Sequence, residues 1–409
     1  MNANLINQPF TLPCGATLKN RLAKAAMTER IADKNLEPVK GHEILYSKWA
    51  NSGAGLLITG NVIIDTYHLE SAGNVHFSNE GLLPKLSKWA EAGKDNNTHI
   101  WVQISHSGRQ TNMFNKLHPM APSSVKLKKL GLFGKPVAMT DSDIEEVTSG
   151  FVRTADLSKK AGFTGVQIHS AHGYLLSQFL SPITNKRTDQ WGGSIENRSR
   201  LLLKLVREIR SVVGPNYPIS VKLNSSDFQK GGLTEEESLT VIKSLEEVGI
   251  DLLEISGGTY EKLAFFLLND EKNEMRESTR IREAYFIDFA KKVRAISTIP
   301  LMITGGFRSF KGCNEALESG DLDIVGMARP FVTNLDDIPA FLEGKIPKLE
   351  NQVIRTGIKA IEDAAEGGYY ARQIIRTSKN KKYKSKLNAL WSSVFLILNE
   401  FKKSLLRKI

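Results

Sequence analysis

The chain of 409 residues is 41% hydrophobic, 24% charged and 8% aromatic, a balance that supports a large buried core and excludes a disordered or fibrous protein. Only Cys14 and Cys313 occur, far apart and without C-x-x-C spacing, which excludes a disulfide framework and a cysteine-held cluster and fits a reducing compartment. The formal charge of +11 is concentrated at one end: from Tyr370 onward eleven Lys and Arg stand against Glu400 alone, so this tail carries +10 and the body about +1, which argues against a phosphate-tracking groove on the body. Residues 1–9 lack a basic region and an apolar run, so no secretory leader is expected and the protein reads as cytoplasmic. Residues 9–18 read as a small hairpin. Eight short apolar runs follow, at 22–27, 55–59, 99–104, 165–168, 219–223, 252–255, 301–304 and 324–327. Stretches with apolar residues at three- and four-residue spacing separate them, among them 199–213, 235–248 and 285–295. Regular alternation of buried strands with amphipathic helices requires a parallel sheet, and eight is the number that closes, so the expected fold is a (β/α)8 TIM barrel.

In such a barrel chemistry collects at the C-terminal ends of the strands. Thr28 follows the first run, Gly60 and Asn61 the second, Gln103 ends the third, His169 the fourth and Lys222 the fifth; Ser256, Gly305-Gly306 and Ala328-Arg329 follow the last three. The stretch His169-Ser-Ala-His172-Gly-Tyr174 places two imidazoles three residues apart, with a phenol two positions on. It can give two hydrogen-bond donors and a proton source to one small oxygen-bearing ligand. Taken alone, the same pattern also fits core histidines satisfied by the backbone, or a metal-binding pair. Glycines at the turn after the seventh run free backbone N–H groups for an anion, and Arg329 adds a planar fork, so this end reads as a phosphate site.

The continuation Asn185-x-Arg187-x-Asp189-x-Trp191-Gly192-Gly193-Ser194-x-Glu196-Asn197-Arg198, read with the histidine pair and Tyr174, resembles the signature of the Old Yellow Enzyme family of FMN-dependent ene-reductases. The resemblance covers roughly residues 9–339. It implies FMN as cofactor, NADH or NADPH as reductant and an enone-type small molecule as substrate. It places Thr28 at the flavin's O4 and N5 edge, Gln103 at the pyrimidine edge and Lys222 at N1 and O2, with Ala26, Met27 and Gly60 among the other cofactor-binding residues. Gly305, Gly306, Ala328 and Arg329 would hold the phosphate. His169 and His172 would hold the substrate carbonyl, and Tyr174 would supply a proton. The sequence departs from the family pattern at Lys222, where many relatives carry arginine, and at Ala26, where proline is common. Lysine keeps the charge and loses the fork. No metal is implied.

Two long excursions, 105–141 and 259–285, are expected to shape the substrate pocket, and the apolar run 265–268 reads as core. Residues 1–345 form the expected barrel and 346–409 a basic, partly helical extension. In the extension, residues 387–406 put Leu387, Leu390, Trp391, Val394, Phe395, Leu398, Phe401 and Leu405 on one helical stripe, with Leu396 and Ile397 on the polar face, and the apolar part is too short to span a bilayer. It reads first as a helix docked on the barrel or on a second copy in a homo-oligomer, then as a peripheral membrane contact, and last as an RNA contact. Two rival functions remain at this point: an FMN-dependent RNA-modifying reductase of the dihydrouridine synthase kind, whose expected cysteine acid has no counterpart here, and a non-catalytic membrane-associated scaffold. No nucleic-acid partner is expected.

Overall fold

The computed structural model describes residues 4–128, 131–258, 286–350, 352, 354 and 359–408. Eight parallel strands form its centre: β1 (Leu22–Lys24), β2 (Leu56–Ile63), β3 (His99–Ser105), β4 (Gly165–Ser170), β5 (Ile219–Asn224), β6 (Leu252–Ser256), β7 (Leu301–Thr304) and β8 (Ile324–Met327). Pairing runs in sequence order from β2 to β8, and the ring closes where β8 meets β1 at Val325 and Leu22 and β1 meets β2 at Ala23 and Leu56. The (β/α)8 barrel expected from the alternation is the fold observed. A two-residue strand, Val75–His76, extends the sheet beside the outer end of β2.

Two strands differ from their sequence outlines. β1 ends at Lys24; Ala25 N–H still donates to Met327 O at 2.8 Å, and the following residues leave the ladder as a loop. β2 continues to Ile63 because a register shift between Ile58 and Asn61 lets it pair again with β3, Asn61 opposite Gln103. A bulge of this kind re-aims side chains at a barrel rim. Gly60 and Asn61 therefore lie within the strand rather than past it. Four of the surrounding helices begin at residues whose side chains accept from the first turn: Thr140, Ser194, Thr234 and Ser309. Each such cap is worth about 1 kcal/mol.

Inside the ring, residues from alternate positions form two unlike layers. The lower one is apolar: Ala23, Leu56, Trp101, Leu252, Met302 and Ile324 cluster with Leu12 and Leu18 of the N-terminal hairpin (Phe10–Thr11 paired with Thr17–Leu18). The hairpin thus plugs that end of the barrel. Burying each of its two leucines contributes roughly 2 kcal/mol. The upper layer, toward the C-terminal strand ends, is polar and carries Gln103, Gln167, His169, Lys222, Glu254 and Thr304.

The extension forms two helices, Lys359–Ser378 and Ala389–Lys408. The first packs on helix Lys40–Asn51 and on the turn after β8, with Tyr369, Tyr370 and Ile374 buried in the main core. The terminal helix lies against the loops that follow β1, β2 and β3. Glu400 bonds Arg30 at 2.6 Å and accepts from Ala72 N–H at 2.8 Å, Lys403 reaches Ala32 O, and Ser404 and Arg407 meet Asn115 at 3.3 Å. These docking groups are polar. Most of the apolar stripe faces the other way: Trp391 is 55% exposed and Leu398 54%. The helix does dock on the barrel, but through the opposite face from the one its apolar stripe suggests. No helix among the described residues is long and apolar enough to cross a membrane. The excursion at 259–285, its run 265–268 and the first residue of the helix expected at 285–295 lie outside the described residues; 286–294 are helical.

Candidate active site

β4 delivers His169 at its end, and the chain then turns sharply. His172 has φ 60° and Gly173 φ 76°, a left-handed pair that costs a non-glycine residue energy unless neighbours hold it. Asn224 Oδ1 accepts from His172 N–H at 3.2 Å, and Gln110 donates to His172 O at 2.7 Å. The turn brings three rings together, with His169 edge-on to His172 (centroids 5.2 Å apart) and to Tyr174 (4.8 Å). Ala171 N–H donates to His169 Nδ1 at 3.3 Å, so that ring carries its hydrogen on Nε2. Ser256 Oγ lies 2.6 Å from His172 Nε2, leaving Nδ1 without a partner among the described residues. Burial, then the neighbouring His172 and Lys222, push His169 well below the ordinary imidazole value, while burial and Lys222 bring His172 down to about 3. Both rings are neutral near pH 7. The pair offers N–H donors without imidazolium charge; the cation beside it is Lys222.

Lys222 stands opposite His169 on one side and Glu254 on the other. Its ammonium lies 2.9 Å from Glu254 Oε1, both side chains buried. Glu254 also accepts from Thr304 Oγ1 at 2.7 Å and from Gln167 at 2.9 Å, and Gln167 in turn accepts from Gln103 at 2.7 Å. Five strands, β3 to β7, are tied by this network. The lysine's charge is compensated from within the barrel, a feature the sequence reading missed. An acid inside the otherwise apolar run Leu-Leu-Glu-Ile was the available signal, since a buried carboxylate needs partners.

At the far end, Gly305 (φ 123°) and Gly306 (φ 83°) turn the chain after β7, and among the described residues no atom lies within 4 Å of where a Gly305 side chain would begin. Gly326 on β8 has no such space, because a Cβ there would sit 2.1 Å from Thr304 Oγ1. Arg329 is bonded to Glu366 of the first extension helix at 2.6 Å. Beside this pair the Tyr370 hydroxyl is buried with no hydrogen-bond partner among the described residues, its pKa pushed up to about 12 by burial. An orphaned hydroxyl, an arginine and a double-glycine turn that is open at Gly305 form a donor set that fits a phosphate. Glu366 and Tyr370 come from a segment in which sequence reasoning placed no site residue.

The loop after β1 forms the other wall. Ala26, Met27 and Thr28 are half-buried, and Thr28 Oγ1 donates to Glu70 at 2.6 Å, which Arg30 also meets at 3.2 Å. Behind the loop, Glu29 accepts from Gly60 N–H at 2.8 Å and from the Tyr46 hydroxyl.

Asp65, His68 and His106 form a separate buried cluster. His68 Nδ1 lies 2.8 Å and His106 Nε2 3.2 Å from the Asp65 carboxylate, and the rings stack at 4.2 Å. The geometry could suggest three metal ligands. The outer nitrogens decide otherwise: His68 Nε2 accepts from Met120 N–H and His106 Nδ1 from Gly108 N–H, each at 3.0 Å. Each ring therefore carries its hydrogen on the nitrogen facing Asp65, where a metal would have to bind. Burial alone would raise Asp65, but hydrogen bonds from His106 and His68 outweigh it and hold the carboxyl well below its usual range.

Burial, then His68, lowers His106 to about 4, and with His172 near 3 this gives stability a pH slope. As pH falls below about 6.5, the unfolded chain takes up protons that the native rings refuse until pH 4 or lower, so stability drops through that window. The loss is of order 1 kcal/mol per pH unit for each ring. Urea unfolding should show a lower midpoint at pH 5 than at pH 7. Equal midpoints would mean that these rings titrate in the native protein as they do in water.

The model of the NADH:flavin oxidoreductase / NADH oxidase family matches residues 6–347. The chain belongs to that family. The NADH-dependent flavin oxidoreductase iliE of Neonectria sp. (strain DH2) is 38% identical over 80% of this chain and 45% of its own length. The NADH-dependent flavin oxidoreductase iccE of Talaromyces variabilis is 36% identical over 80% of this chain and 83% of its own. The chain thus spans less than half of the first relative and most of the second. Among solved structures, the old yellow enzyme homologue from Zymomonas mobilis matches with a TM-score of 0.71 at 24% identity, over 85% of this chain and 95% of that one, and so speaks for the fold. As a member of the flavin oxidoreductase family, the protein takes FMN as its cofactor and NADH or NADPH as its reductant.

Proposed function

We propose that the protein reduces the C=C bond of α,β-unsaturated carbonyl compounds. The observation that carries this reading is the joining of a neutral histidine pair, with an N–H donor fixed on His169 Nε2, to a tyrosine whose ring lies 4.8 Å from it at the barrel mouth. Bound FMN supplies the hydride transfer, from reduced nicotinamide to the electron-poor alkene. The chain's own residues supply the rest. His169 and His172 hydrogen-bond the substrate carbonyl oxygen, where charge grows as the β-carbon is reduced, and being neutral they do so without a permanent charge of their own. Tyr174 delivers the proton to the α-carbon. Lys222, held by Glu254, is the cation assigned to the flavin's N1 and O2 edge, with Gln103 on the pyrimidine edge and Ala26, Met27, Thr28 and Gly60 along the opposite wall. Gly305, Gly306, Ala328 and Arg329 receive the phosphate, with Tyr370 reaching in from the extension. The division into residues 1–345 and 346–409 then separates the barrel from an appendage that contributes two side chains to the cofactor end.

The RNA-directed alternative has little support. Cys14 lies in the hairpin at the closed end and Cys313 in the helix after β7, so neither stands at the mouth as a proton donor. The test is spectroscopic and anaerobic. Either nicotinamide should bleach the flavin absorbance of the purified protein, and an enone such as cyclohexenone should restore it. A flavin that nicotinamide bleaches and a range of enones leaves bleached refutes the alkene reading while leaving the family membership intact.

A further inference from the structure

We propose that the outward face of the terminal helix seats the protein on an anionic phospholipid surface. The helix is inverted relative to an ordinary surface helix. Its polar residues Glu400, Lys403, Ser404 and Arg407 are spent on the barrel loops, while Trp391, Val394, Ile397, Leu398, Phe401 and Leu405 stand outward at three- and four-residue spacing. Phe114, from the excursion after β3, meets Phe401 edge-on at 6.0 Å and continues the patch onto the barrel, where Leu117 is also exposed. A contiguous apolar surface of this kind marks an interaction site.

Charge identifies the occupant. Lys381, Lys382, Lys384 and Lys386 stand exposed in the linker just before the helix, and Lys402 is exposed within the stripe. The one acid of the chain beyond Tyr370, Glu400, is folded inward against Arg30, Ser71 and Ala72. What the chain beyond Tyr370 shows the solvent is therefore apolar and positive, with its one carboxylate side chain engaged by Arg30. A second copy docked on this face would bring two lysine rows together, whereas an anionic lipid surface neutralises both the charge and the apolar stripe. No helix among the described residues can cross a bilayer, so the helix lies in the interface with its apolar side in the headgroup boundary. The contact is independent of the reaction proposed above.

The full chain should float with vesicles of one part phosphatidylserine to two parts phosphatidylcholine, about a thousandfold more tightly than with phosphatidylcholine alone. Trp391 gives a direct signal, because Trp49, Trp89, Trp101 and Trp191 are buried: its emission should shift to the blue on binding. Replacing Lys381, Lys382, Lys384 and Lys386 together with Gln should remove about a thousandfold of the affinity. The double change Ile397→Ser and Leu398→Ser should abolish the blue shift while leaving flavin absorbance and thermal midpoint unchanged, since both side chains are exposed. Equal binding to neutral and anionic vesicles, or no binding to either, overturns the proposal. So does a stable dimer in light scattering that Ile397→Asp converts to monomer.

Discussion

Tyr174→Phe should slow alkene reduction by roughly 10² to 10⁴-fold, the range for a positioned general acid, and leave flavin reduction by nicotinamide almost unchanged. The reasoning rests on what each half-reaction needs. Reduction by nicotinamide requires a hydride acceptor and no proton at carbon, whereas the alkene needs both. The substitution keeps the ring that packs against His169 and removes only the hydroxyl, so the turn built on His172 and Gly173 should survive. Stopped-flow traces of the two half-reactions separate the outcomes. A variant that reduces enones at the parent rate takes its proton from elsewhere; one that loses both half-reactions together shows that Tyr174 shapes the flavin pocket instead.

Gly60→Ala should cost about 3 kcal/mol of stability and most of the bound flavin. A methyl group at that position would begin 2.3 Å from Glu29 Oε2, 2.5 Å from Met27 O and 2.8 Å from Thr28 Cα. Two of the three atoms are backbone and cannot swing aside, so the loop carrying Ala26, Met27 and Thr28 has to move. Gly367, in the first extension helix, is the contrast: the nearest atom to its added methyl is 3.9 Å away, and alanine there should be neutral or stabilise by up to about 1 kcal/mol. Thermal unfolding and flavin content read both variants. A Gly60→Ala protein that melts with the parent and keeps its flavin would show that the loop adjusts without penalty.

These two residues also illustrate what the sequence could show. The eight strands were legible because a barrel strand buried on both faces is a short apolar run between turns, and the pattern repeats. Strand ends were less so. β1 stops early because Ala26 and Met27, apolar enough to continue it, have left the ladder, and β2 runs long because a bulge at Gly60 keeps it pairing through polar Asn61. The motif around His169 stood out because its residue types recur within six positions, and the turn there does bring its three rings together. Glu254 and Tyr370 were not, because their roles depend on partners 32 or more positions away in sequence, Lys222 for one and Arg329 for the other. The terminal helix shows a different limit: periodicity tells which side of a helix is apolar, and says nothing of what lies against it. Its polar side found the barrel because Arg30, Ala72 and Asn115 were there to meet it.

Glu400 closes its ion pair with Arg30 across 370 positions of chain. During synthesis the strands from Leu22 to Met327 are all delivered before that carboxylate exists, so the ring can close while the loop after β1 still lacks its clasp. Construction thus proceeds from the plugged end toward the open one. The barrel's hairpin seal is made before the ring, and the group that pins the rim after it. A nascent chain halted between Met327 and Glu400 has every barrel strand and an unfastened mouth, so the final shaping of the cofactor's entrance follows the closing of the ring.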